Sequence, residues 1–293
     1  MQVLYYLGLT ACHFCITFTG VRYGRGTKGF FSLALSSCVT CIIASLFFLS
    51  LTGFQPKLNS ITALYAIGFA AICLVSQYTG FSIYRHTDVA GRGMIAGGFS
   101  LLLNCAAGIF LFRETFTFIT AIRIACMLCS GVAVYFHNRR FSTGKWTRLG
   151  WVLIGITIIN GVASNVISKF YAIDARVTDN NSYCMLVNVF CLAFSLAMVL
   201  MLKRGNLHDC IDELRVIRPK HYLYVVLNTV SGNLNTLLTL AILAGGDMLL
   251  YIPLNSALGL LTTQLVAVVF EKEKFMPIPV VLSLTAAVLS FWR

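Results

Sequence analysis

Charge is the scarcest thing in this sequence. Asp, Glu, Lys and Arg make up 11% of 293 residues, and only ten are acidic, where a soluble domain carries about 25% charged residues. That excludes an ordinary water-facing globule. The chain also lacks a phosphate-cradling glycine loop, a Ser-His-Asp set and any cluster of carboxylates or histidines, since His86, His137, His208 and His221 fall in separate connections. A membrane-embedded enzyme needs one of these, so the sequence argues against catalysis. The first apolar run has no basic segment ahead of it and no convincing small-residue cleavage site behind it. It reads as a first helix rather than a removable leader.

What fills the gap is apolar. Hydrophobic residues make up 58% of the chain and the mean hydropathy is +0.83, and an α-helix needs about 20 such residues to cross roughly 30 Å of hydrocarbon. Ten runs qualify, at 3–20, 30–51, 61–83, 93–112, 116–136, 149–172, 183–202, 222–244, 248–270 and 276–292. They leave no room for a soluble domain. The longest connection, "KRGNLHDCIDELRVIRPKH", has Leu207, Ile211 and Leu214 at helical spacing and is expected to hold a short interfacial helix.

The stretch "LFRETFTF" at 111–118 places Arg113 and Glu114 in a tight turn between the fourth and fifth spans. Glu114 is expected in the first turn of the fifth helix, where its dipole favours an anion, with Thr115 able to cap it. The pattern returns as "FEKEKF" at 270–275, so Glu114 aligns with Glu273 and Phe116 with Phe275. The chain is therefore expected to be an all-α polytopic membrane protein of ten transmembrane helices arranged as two inverted five-helix repeats, 1–140 and 141–293. Five is odd, so the two copies must enter the membrane from opposite sides, a design of many secondary transporters.

The segments "FLFRETFTFITAIRIACMLCSGVAVYF" and "VVFEKEKFMPIPVVLSLTAAVLSF", together with ten helices in two halves, resemble the drug/metabolite transporter superfamily in its ten-helix EamA-type branch. Arg113 stands where the family's turn usually has glycine. The resemblance implies alternating-access transport of a small polar metabolite, such as an amino acid, commonly for export across a bacterial inner membrane. Eukaryotic relatives move nucleotide sugars or phosphorylated sugars. It implies no cofactor and no metal. The partners it implies are a small-molecule solute and membrane lipid, with a homodimer left open. The alternative is a non-transporting membrane subunit, or a lipid-handling or channel protein.

Polar residues inside the spans are the candidate solute contacts, because polar groups in hydrocarbon need partners or water. Asn228, Gly232, Asn235 and Thr239 share one face of the eighth span, with Asn233 off that stripe. Asn255, Gly259 and Thr262 share a face of the ninth, Asn160, Ser164 and Ser168 one of the sixth, and Gly161 and Asn165 a neighbouring row. Ser100, Asn104 and Gly108 line the fourth, while Ser76, Gln77 and Tyr78 cluster late in the third. Each set reads equally as interhelical packing. Taken together, amides from both halves suit a neutral or zwitterionic solute, because they donate and accept alike.

Ionisable groups within the spans are few. Arg123 and Lys169 read either as snorkelling or structural residues or as anion-binding and gating ones. All ten carboxylates fall in turns, Asp247 being nearest to a span. His13 is thus the candidate proton carrier, and a facilitator or exchanger needs none. Three C-x-x-C pairs, Cys12 with Cys15, Cys38 with Cys41 and Cys126 with Cys129, lie inside apolar spans, where cysteine acts as a small hydrophobe rather than a metal or redox ligand.

Connections after odd-numbered spans hold sixteen Lys and Arg, against five on the opposite side. By the positive-inside rule the odd side is cytoplasmic and both termini lie outside, the reverse of the usual ten-helix orientation in that superfamily. The net charge of +12 follows from this bias and gives no reason to invoke nucleic acid.

Overall fold

A computed structural model describes residues 2–26, 30–84, 86–87, 89–141, 147–203, 219–246 and 248–291. The interfacial helix expected around Leu207, Ile211 and Leu214, and Asp247, lie outside the described residues. Among those described there are ten helices and no strand: α1 Gln2–Gly26, α2 Phe30–Leu51, α3 Ser60–Ile83, α4 Val89–Phe112, α5 Phe118–Phe141, α6 Arg148–Ile173, α7 Asn180–Lys203, α8 Pro219–Gly245, α9 Met248–Glu271 and α10 Pro277–Phe291. Eight are long and apolar enough to cross a membrane, whereas α5 and α10 have shorter apolar stretches, Phe118–Ala133 and Pro277–Leu289. Several helices outrun the expected spans, α1 and α6 among them. Hydropathy marks the hydrocarbon, but backbone hydrogen bonding continues through the interface.

Local chemistry sets the ends. Asn59 accepts from the Ile61 N–H at 3.1 Å to start α3, and Thr147 accepts from Gly150 N–H at 3.1 Å to start α6. Both are side-chain N-caps. The turns after α4 and α9 are the same motif. Arg113 and Lys272 take left-handed φ of 53° and 56°, and the next N–H reaches back six residues, Glu114 to Gly108 O at 3.2 Å and Glu273 to Ala267 O at 3.0 Å. Each helix thus closes on a left-handed residue, a position that glycine usually occupies.

The fifth helix differs from the expectation. It begins at Phe118, so Glu114 lies ahead of it rather than in its first turn. Thr117, not Thr115, does the capping: its hydroxyl accepts from the Thr120 N–H at 3.2 Å.

The helices pair across the two halves of the chain. α2 packs along α7, α4 along α9, α5 along α10, α1 along α8 and α3 along α6, with further contacts of α1 to α9 and α4 to α6. Apolar residues point out: Leu4, Leu64, Phe110, Phe118, Met201 and Ile278 are between 63% and 81% exposed. Polar ones such as Asn104, Ser130, Asn188 and Gln264 are buried. That is the inside-out pattern of a protein whose solvent is lipid, a multi-pass integral membrane architecture.

Candidate solute cavity and its charged surroundings

A cavity of about 270 Å³ lies among α1, α2, α3, α7 and α8. It begins near mid-helix and reaches Tyr84 at the end of α3, on the face that carries the α3–α4 and α7–α8 connections, called here the odd face. Its polar lining includes Ser76 and Gln77 of α3, Asn188 of α7, and Asn228, Thr229, Asn233 and Thr236 of α8. Three amides are held by the protein itself. Asn228 Nδ2 donates to Ile16 O at 3.0 Å and Thr19 Oγ1 at 2.9 Å. Asn188 Nδ2 donates to Cys184 O at 2.8 Å and Asn233 Oδ1 at 2.7 Å. Gln77 Oε1 accepts from Ser37 Oγ at 2.9 Å.

Of the amides read from the sequence, the structure thus brings Gln77 and Asn228 together. Tyr78, next to Gln77, turns into the apolar cluster of Tyr23, Leu35 and Val199. Four others make cross-helix bridges: Asn165 Nδ2 donates to Asn104 Oδ1 at 3.2 Å, and His13 Nε2 lies 2.8 Å from Asn255 Oδ1. Asn160 Nδ2 and Asn235 Oδ1 are buried without a hydrogen-bond partner among the described residues. Asn188 was missed by the sequence reading. A lone amide in the run "YCMLVNVFCLAF" is the signal that could have found it.

At the opposite, even face, after α2, α4, α6 and α8, a few charged side chains fasten helix ends. Glu114 leaves its own half and caps α9, accepting from the Met248 and Leu249 N–H groups at 2.7 Å each. Lys169 donates to Gly246 O at 2.6 Å and Leu243 O at 3.3 Å, the last carbonyls of α8, and stands 3.9 Å from Glu114. An anion therefore meets the start of one helix and a cation the end of the previous one, both favoured by the helix dipoles. At the odd face Glu273 does the same for the other half, accepting from Val89 N–H at 3.0 Å where α4 begins. Arg123 is buried and donates through Nε at 3.0 Å and a terminal nitrogen at 2.5 Å to Leu289 O, in the last turn of α10. It borders a second cavity of about 420 Å³ beside Glu114, apart from the amide cavity.

The even face is also laced by polar contacts between the α2–α3 and α6–α7 connections. Lys57 N donates to Ser182 Oγ at 3.0 Å, Asn59 Nδ2 to Arg176 O at 2.8 Å, Thr178 N to Thr62 Oγ1 at 3.0 Å and Tyr65 OH to Asp174 Oδ2 at 3.3 Å. Hydrogen bonds from the Arg176 guanidinium and backbone to Asp174 hold that carboxyl well below the usual carboxylate range.

All cysteines among the described residues are free thiols. Those of the C-x-x-C pairs range from buried Cys12, Cys38 and Cys41 to exposed Cys129, and no three metal-binding side chains come together among the described residues.

The sequence matches no family model and no curated protein. A solved crystal structure of a protein is similar in fold, with a TM-score of 0.68 at 16% identity over 99% of this chain and 97% of the other. At that identity the likeness speaks for architecture alone, and it extends from end to end.

Proposed function

We propose that the protein is a secondary transporter that moves a small polar metabolite across a membrane by alternating access, its two five-helix halves acting as an inverted repeat. The observation that carries this reading is the cavity. It is lined by helices of both halves, lies beneath the interlocked loops of the even face and extends to the odd face. A carrier caught with one gate shut has this shape.

The helix neighbours support the repeat. Exchanging each helix with the one five places on carries α1–α8 onto α6–α3 and α1–α9 onto α6–α4, and leaves α2–α7, α4–α9 and α5–α10 as they are. Glu114 and Glu273 obey the same exchange, each capping the helix that corresponds to the end of the other's own. On this reading all ten helices span, the odd face is cytoplasmic by its charge bias, and the membrane is the bacterial inner membrane that the drug/metabolite transporter resemblance implies.

Purified protein in lipid vesicles tests it by solute counterflow, with Gly232→Leu beside the wild type. Gly232 lines the cavity and a Cβ there meets nothing within 4 Å, so a side chain at this position enters open space in the cavity. Counterflow that the variant abolishes supports the proposal. Absence of flux for every solute class would return the protein to the partner-subunit reading.

A further inference from the structure

The charge of the solute can be read from the cavity, given the transport reading above. None of the described residues lining it carries a formal charge. Lys169, Glu114 and Arg123 face elsewhere and are engaged with helix ends. Among the described residues no hydrogen bond occupies the Gln77 amide nitrogen or the Asn188 and Asn228 carbonyl oxygens, while the other end of each amide is fixed. These three amides therefore offer the cavity one two-proton donor and two acceptors whose directions are set. Hydroxyls of Ser76, Thr229 and Thr236 lie beside these amides, and the lining from α2, α7 and the middle of α3 is apolar or thiol, from Cys41, Val187, Cys191, Phe69 and Cys73.

Each class of ion fits badly. A phosphate or carboxylate has only acceptors to present and would face two fixed carbonyl oxygens with no cation to offset its desolvation. An ammonium would lose its water with no carboxylate to replace it. A zwitterion meets both penalties at once.

We infer that the cavity selects an uncharged solute with hydrogen-bond donors and acceptors side by side on one edge and an apolar surface elsewhere, the chemistry of a nucleobase or a heterocyclic amide. Asn and Gln recognise such edges bidentately in other settings. Here Gln77 supplies the donors to the solute's acceptor, and Asn188 and Asn228 accept from its N–H groups.

The test uses the purified full chain in detergent and in vesicles, with uracil and nicotinamide as uncharged probes, L-serine as zwitterion, glycerol 3-phosphate as anion and choline as cation. Ligand-dependent thermal stability reads binding, because a ligand of the folded state raises its midpoint. The uncharged probes should shift it and the charged ones should not. Gln77→Glu keeps an acceptor for Ser37 but turns the donor into an anion. It should weaken the uncharged probes by at least about tenfold, a loss of roughly 1.4 kcal/mol, and admit choline. Binding of serine, glycerol 3-phosphate or choline by the wild type, or no shift with either uncharged probe, overturns the inference. Uracil or nicotinamide that binds but shows no counterflow would instead sink the transport reading and leave the solute class standing.

Discussion

Glu114→Gln should unfasten the α8–α9 junction, and the cost can be worked from the contacts. The carboxylate accepts two backbone N–H groups at 2.7 Å and has Lys169 at 3.9 Å. Glutamine keeps one carbonyl oxygen and turns an N–H toward the second backbone donor, so one charge-assisted bond, about 1.5–3 kcal/mol, is lost. Lys169 retains its two carbonyls but loses its only anion among the described residues, which brings the total towards the roughly 3–5 kcal/mol measured when one partner of a buried pair is removed. At roughly 2–4 °C per kcal/mol, the apparent midpoint in detergent should fall by several degrees or more. Arg22→Gln is the control. Arg22 is 42% exposed, stands 4.0 Å from Glu271 and makes only long contacts, to Phe270 O at 3.4 Å and over the Phe18 ring, so solvent screens its loss and the midpoint should fall less than for the buried clamp. A Glu114→Gln midpoint no lower than that of Arg22→Gln would refute the reasoning, and with it the role given to the buried clamp.

Gly108→Ala should act on the same junction from below, because a Cβ there would stand 3.1 Å from Glu114 Oε2 and 3.2 Å from Leu249 Cγ; a midpoint unchanged from wild type would show that the carboxylate has room to move. His13→Gln keeps a donor or acceptor for Asn255, so it should abolish pH-driven transport and spare exchange if His13 carries a proton; equal loss of both would assign it to packing. Asp174, with its carboxyl held low by Arg176, contributes above the ordinary carboxylate range and loses its contribution only as pH falls through the lowered folded value. Amide-exchange protection of the α6–α7 connection should therefore persist from neutral pH to below about 4. Arg176→Gln should move its loss up to that range, and identical pH profiles for the two proteins would count against the pairing.

Much of the architecture was legible along the chain because lipid imposes it locally. Each spanning segment must satisfy its own backbone, so apolar run length alone located the helices to within a few residues, and two glutamates in similar sequence contexts pointed to the two turns, after α4 and α9, that share one geometry. What those glutamates bind was not legible. The sequence reading put Glu114 at the start of its own next helix, the nearest dipole in sequence, whereas the fold brings the start of α9 closer in space. Arg123 and Lys169, read from the sequence either as structural or as charge-handling residues, bond to the end carbonyls of α10 and α8, since an end carbonyl buried in protein has no water to turn to.

The cavity marks the same division. Composition and spacing determined that amides from both halves are buried, because polar groups in a hydrocarbon solvent have nowhere else to go. Which of them face a shared space depends on helix rotation and neighbour choice, and these are settled by packing between segments far apart in sequence. Asn104 meets Asn165 and is occupied, His13 meets Asn255, and Gln77 comes beside Asn188 and Asn228 with hydrogen-bonding capacity to spare. The chain by itself set the solvent, the segments and their chemistry; only the tertiary structure decided which polar atoms satisfy one another and which keep hydrogen-bonding capacity facing the cavity.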